Sequence, residues 1–203
     1  MFIASEVRAY IEKVPPMQFF YTRHMLHLGT RSAIDQETYR LVDAAKIFRS
    51  ADGIFYKLLP GVPHPPIAEV AHHKAAAFSK EIVEHGKDIA KKLKISKRGN
   101  KKVTFNVSGR SSSSFRSHAH NRRVYFKATA ARRFAGGKTK VGKVVRALWE
   151  LGEKALNRKT LKKATRNLNQ KEMRELQEAA FRVPRWLAEY TNRFVTLSKK
   201  MVI

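Results

Sequence analysis

A cluster of five turn-forming residues, Pro60, Gly61, Pro63, Pro65 and Pro66, interrupts the chain less than a third of the way along it. Proline lacks the backbone donor and biases the residue before it away from helix, so neither a helix nor a central strand continues through such a stretch. The cluster therefore divides the chain into a segment 1–60 and a segment 64–203, each expected to fold around its own core.

The charge follows the same division. Over 203 residues, 42 Lys and Arg face 16 Asp and Glu, a surplus of +26. Residues 1–62 carry only +2 of it, residues 63–126 carry +10 and residues 127–203 carry +14. So large a surplus is costly in self-repulsion, and its usual complement is a polyanion whose condensed counterions are released on binding. Nucleic acid is the leading partner by this argument, and solubility alone needs far less charge. The hydrophobic share of 43%, with 12 Phe and 6 Tyr, is too high for a disordered basic tail. A chain of this length can bury about 70% of the surface its unfolded form exposes.

Cysteine is absent, which excludes disulfides, Cys-ligated zinc and thiol nucleophiles. The opening MFIASEVRAYIEKV lacks the uninterrupted apolar run of a signal peptide, and no stretch approaches the ~18 apolar residues of a membrane helix. A soluble, cytoplasmic protein without a membrane partner is expected.

In the first segment, Ser5 is a candidate cap for a helix bearing Val7, Tyr10, Ile11 and Val14, stopped by Pro15 and Pro16. A second short helix is expected over Tyr21 to Leu28, ending at Gly29. Thr30 or Ser32 caps a third, with Ser32 and Asp35 at capping-box spacing and Ile34, Leu41, Val42 and Ala45 as its buried stripe. Ile47 and Phe48 then flank Asp52-Gly53 together with Ile54, Phe55 and Tyr56, the pattern of a tight hairpin. Three short helices and a hairpin make a winged helix-turn-helix, whose recognition helix enters the major groove. Its candidate DNA-binding residues are Thr30, Arg31, Ser32, Gln36 and Arg40 on the third helix, with Arg49 and Lys57 on the hairpin. Arg pairs with guanine and Gln with adenine through two hydrogen bonds each. Asp52 at the hairpin tip would repel phosphate.

The second segment reads as a basic, mostly helical α+β domain with a small sheet. A helix is expected over Ile67 to Ile82, with Val70, Ala71, Ala75, Phe78 and Ile82 inward, and a basic one over Asp88 to Leu93. Val103, Phe105 and Val107 alternate as strand residues do, as do Val124 and Phe126. The low-complexity connection GRSSSSFRSHAHNRR suits a mobile phosphate-binding loop or, on balance, a flexible hairpin tip. Helices follow over Lys138 to Leu151, Thr160 to Leu168, from Asn169, and from Pro184.

Taken in order, LGTRSAIDQETYRLVDAAKIFRSADGIFY, VTFNVSGRSSSSF, VYFKATAARRFAGGKTKVGKVVRALWELG and AAFRVPRWL resemble the AbiEi-type antitoxin family of bacterial type IV toxin–antitoxin systems, over about Ser5 to Phe194. The resemblance implies an antitoxin and transcriptional autorepressor. Its winged helix would bind double-stranded DNA at its own operator, and its second domain would counter a nucleotidyltransferase-like toxin. It places Arg31, Asp35, Gln36 and Arg40 on the recognition helix and Gly53 with Tyr56 at the wing turn. Where the family's wing carries a basic residue before its glycine, this chain has Asp52. A basic RNA-binding or ribosome-associated protein is the alternative, since the downstream charge suits RNA equally.

Other chemistry is weaker. GGKTK at 136–140 falls short of a P-loop, which needs glycine at the position of Arg132. Arg132, Arg133, Lys138, Lys140 and Lys143 nevertheless form a basic patch at a helix start, suited to phosphate or an acidic toxin surface. His118 and His120 share a strand face without a third ligand, so no metal is expected. Glu150 and Glu153 beside Lys154 read as surface ion pairs, and no serine sits in a nucleophile elbow, so neither an enzyme nor a cofactor is expected.

Overall fold

A computed structural model describes residues 3–200, with the side chains of residue 180 and of residues 197–200 outside the description. The chain is mixed α+β and divides into two compact units. The first comprises 1–80 and 114–124, the second 81–113 and 125–203. The proline cluster thus lies inside the first unit, whereas the sequence places the boundary at it.

In the first unit the described elements are α1 (Ile3–Lys13), β1 (Phe20–Tyr21), α2 (Arg31–Asp43), β2 (Phe48–Ala51), β3 (Ile54–Tyr56) and α3 (Ile67–Ala76). Helix α1 begins before Ser5, which therefore lies within the helix rather than capping it. The expected second helix is replaced by β1 and a 3-10 turn over Thr22–Met25. Phe20 and Tyr21 are both buried and pair with Phe55 and Ile54, so cross-strand packing of adjacent aromatics outweighs the helical spacing. The strands order β1-β3-β2, with an irregularity between Arg49 and Ala51 that leaves Ser50 as a bulge. Gly53, at φ +73°, makes the hairpin turn. Val7, Ile11, Phe20, Met25, Ile34, Leu41, Ile47 and Phe55 form the core.

Helix α3 belongs to this unit because its side chains close on the sheet. Tyr21 Oη and His73 Nδ1 are 2.7 Å apart, the Phe19 and His73 rings stack at 4.0 Å, and Lys74 Nζ donates to the Asp52 carbonyl at 2.7 Å. The helix ends at Ala76, six residues earlier than the expected Ile82. Ser79 adopts φ +53° and the Lys80 N–H reaches back to the Ala75 carbonyl at 3.0 Å, an αL cap made without glycine. Phe78 is consequently exposed rather than inward.

The second unit holds β4 (Ile82–Glu84), α4 (Gly86–Lys92), β5 (Val103–Val107), α5 (Lys140–Leu151), α6 (Arg158–Thr165), α7 (Gln170–Glu178) and α8 (Arg185–Lys200). Two further strands, β6 (Ser113–Ser117) and β7 (Arg122–Ala128), complete a sheet of order β4-β5-β7-β6, and the turn end of their hairpin, 114–124, is counted with the first unit. The serine-rich connection therefore supplies strand β6 as well as the hairpin turn over 118–121 that the sequence anticipates. Phe115 and Ser117 alternate inward, and the His118 N–H donates to the Ser50 carbonyl at 2.9 Å. The helical core gathers Val141, Val144, Val145, Leu148, Trp149, Leu161, Ala164, Leu176, Leu187 and Val195. Asn169 and Glu172 form a reciprocal capping box at the start of α7.

Burial holds the His73 imidazole below the usual histidine range, partly offset by Glu69, and burial also lowers His24, His85 and His120. The unfolded chain then binds more protons than the native one below about pH 6.5, so stability falls as pH drops through that value. Thermal melts should show a lower midpoint at pH 5.5 than at pH 7.5, a window above the one in which the depressed Glu37 carboxyl titrates. A His73→Gln protein should show a smaller drop, and equal midpoints for the wild type at the two pH values would contradict the assignment.

Candidate nucleic-acid interface

Helix α2 is built by its burial pattern. Ile34, Glu37, Thr38 and Leu41 face inward, which leaves Arg31, Ser32, Asp35, Gln36, Tyr39 and Arg40 on the outward arc. These six line one open depression of about 820 Å³. Of the two cap candidates, Thr30 is the one used: its Oγ1 accepts from the Ala33 N–H at 3.4 Å. Asp35 is engaged by Arg31 instead, Nε to Oδ2 at 2.8 Å.

Beneath this arc lies Glu37, whose side chain is 2% exposed. Arg8 Nε donates to its Oε1 at 2.6 Å and Arg40 Nη1 to its Oε2 at 3.4 Å. The Arg8 hydrogen bond is the main reason its carboxyl is held below the usual range. The pair joins α1 to α2 and steers the Arg40 guanidinium.

A second hollow of about 540 Å³ lies beside α2, lined among others by Arg31, Tyr39, Arg49, Asp52, Lys74 and Phe78. Arg49 Nη2 meets Asp52 Oδ1 at 2.8 Å, and His118 Nε2 stands 3.6 Å from the same oxygen. The hairpin carboxylate is thus compensated by Arg49. Lys74 Nζ sits 5.4 Å above the Phe78 ring, and burial lowers its pKa. The structure brings Arg31, Ser32, Gln36 and Arg40 onto one face and Arg49 to its edge. Lys57 goes elsewhere, its Nζ donating to the Glu12 carbonyl at 3.0 Å.

Three residues of this face escape sequence reasoning: Tyr39, 69% exposed, Phe78, 63% exposed, and Lys74. Tyr39 follows Gln36 by three positions and shares its helix face, a signal that was present. Lys74 and Phe78 lie beyond the proline cluster, where the assumed boundary separates them from the hairpin.

The patch at the start of α5 is tied up more closely than its charge suggests. Arg132 and Arg133 place their guanidinium carbons 5.6 and 4.5 Å from the Trp149 ring. Arg133 Nη1 also meets Glu150 Oε2 at 3.1 Å, and Lys140 Nζ meets Glu172 Oε1 at 3.3 Å. Lys138 and Lys143 are exposed. Arg146, one turn further along the helix from Lys143, is only 1% exposed. It donates from Nη1 to the Gly137 carbonyl at 2.7 Å, and burial brings its pKa down to about 10.

Among the described residues no group of three or more metal-ligating side chains converges, and no helix is long and apolar enough to cross a membrane. His120 Nδ1 is 2.9 Å from Ser117 Oγ.

Over residues 6–176 the chain matches the model of a family described as "Family of unknown function (DUF6088)". That span is most of its length, and the chain belongs to this family. No curated protein and no solved structure matches it.

Proposed function

We propose that the first unit is a winged helix-turn-helix that reads duplex DNA with α2, and that the protein is a transcriptional autorepressor of the antitoxin type to which its sequence is similar. The observation that carries this reading is the outward arc of α2. Arg31, Gln36 and Arg40 offer donors and acceptors that pair with base edges, and Asp35 can accept from cytosine N4. Cations on the adjoining hairpin and α3, Arg49 and Lys74, supply phosphate contacts that set register. On this reading β2 and β3 are the wing, and the 3-10 turn stands where the helix before the recognition helix usually lies.

The second unit has the charge to add sequence-independent affinity, and the family resemblance extends its role to countering a nucleotidyltransferase-like toxin. A reporter driven by DNA from upstream of the protein's own gene tests the regulatory part. Wild-type protein should repress it, and a Gln36→Ala/Arg40→Ala double variant, both positions being exposed, should restore expression at equal protein level. Repression that survives the double variant unchanged would count against α2 as the reading element.

A further inference from the structure

We infer that the outward face of α6 is a phosphate-tracking surface that docks the backbone of duplex DNA. This rests on reading the first unit as a DNA-binding module, to which α6 is covalently tethered.

Residues 154–171 contain seven Lys and Arg and no Asp or Glu. Helix α6 sorts them by its own geometry. Leu161, Ala164 and Thr165 are buried, while Lys159, Lys162, Lys163 and Arg166 are exposed. The spacing of these four is i, i+3, i+4 and i+7, one face of a helix, and Arg166 keeps helical dihedrals as the C-cap. Asn157 fixes the start of the helix, its Oδ1 accepting from the Thr160 N–H at 2.9 Å.

This face differs from the basic patch at the start of α5. There Arg133 is held by Glu150, Lys140 by Glu172, and both arginines by Trp149. On α6, none of Lys159, Lys162, Lys163 or Arg166 meets a carboxylate among the described residues. Four like charges without internal neutralisation repel one another, and an external polyanion relieves that repulsion.

The chemistry of the face selects the anion. Every exposed side chain over 157–167 is Asn, Lys or Arg. A docking protein surface would be anchored by aromatic or aliphatic groups, and interface cores are depleted of charge, so an acidic protein finds no hold here. Lys159 to Arg166 spans about 10 Å of helix axis, the rise of roughly three nucleotides along one strand of a duplex.

The test is a salt-titrated anisotropy measurement on the full chain, comparing wild type with Lys159→Gln/Lys162→Gln/Lys163→Gln/Arg166→Gln. The probes are the upstream duplex, a scrambled duplex, an RNA hairpin and polyglutamate. The slope of log K against log salt should become shallower by about 3 to 4 on both duplexes, at roughly 0.9 for each phosphate that the variant no longer neutralises. Replacing the three lysines by arginine should keep the slope and guards against a folding artefact.

An unchanged slope in the glutamine variant overturns the proposal. Binding of the RNA hairpin at least as tight as that of the duplex, lost in the same variant, overturns the choice of DNA, and an equal loss on polyglutamate overturns the choice of phosphate. If the wild type shows no preference for the upstream duplex while the variant loses slope, the reading of the first unit fails and the α6 surface stands. If the preference holds and the slope does not move, the reverse is true.

Discussion

Gly142→Ala should lower the thermal midpoint of the protein by about 4–8 °C. A Cβ at this position would lie 2.5 Å from both the Gly136 and the Gly137 carbonyl oxygens. These are backbone atoms of a turn whose two glycines sit at φ +73° and +53°. Thr139 closes the same turn, its Oγ1 accepting from the Gly142 N–H at 3.1 Å while donating to the Gly136 carbonyl at 2.6 Å. Arg146 adds its bond to the Gly137 carbonyl. Relieving the overlap therefore means moving a cap, a turn and a buried guanidinium together. Overpacking against backbone atoms that cannot move alone falls at the upper end of the usual range of about 1–3 kcal/mol, and the better helix propensity of alanine returns at most about 1. A net loss of about 2 kcal/mol corresponds to the stated shift for a chain of this size. Lys143→Ala, one residue on and exposed, should stay within about 0.5 kcal/mol of wild type. Equal midpoints for Gly142→Ala and wild type would refute the close approach of turn and helix.

Arg31→Ala should weaken binding to the upstream duplex by about 1–3 kcal/mol and relax preference at one base position. In the free protein Arg31 is held by Asp35 at 2.8 Å, and both side chains are exposed. The exposed pair is worth little in itself, so exchanging Asp35 for a guanine edge costs the protein little. Removing Arg31 has a second effect, because it leaves Asp35 uncompensated on the face that meets DNA. Binding to a panel of single-base variants of the upstream duplex separates the outcomes. Loss of discrimination at one position fits base reading by Arg31, whereas a uniform loss across the panel fits a phosphate contact and would move the base-reading role to Gln36 and Arg40.

The elements set by strong local chemistry were legible in the sequence. Asp52-Gly53 between apolar runs marks the hairpin, Asn169 marks the start of α7, and Val141, Val144, Val145 and Leu148 mark the inward stripe of α5. Elements decided by tertiary packing were not. Phe20 and Tyr21 form a strand because β3 is there to pair with them. The serine run hides the alternation of Phe115 and Ser117, since serine occupies inward and outward positions alike. Helix ends were misplaced where the αL cap falls on a residue other than glycine, as at Ser79 after α3. Arg146 reads as a surface cation by type, and only the turn over its guanidinium shows it to be buried. At the candidate interface the outward residues of α2 were readable from its apolar stripe. Lys74 and Phe78 were not, because prolines that break secondary structure need not end a compact unit.

Reading of DNA by α2 is tested most directly by the affinity of the intact 203-residue chain for DNA from upstream of its own gene, against a scrambled duplex of the same length and composition at one physiological salt concentration. Reading by α2 predicts tighter binding to the upstream duplex by at least about a thousandfold. Equal affinity for the two duplexes would contradict it.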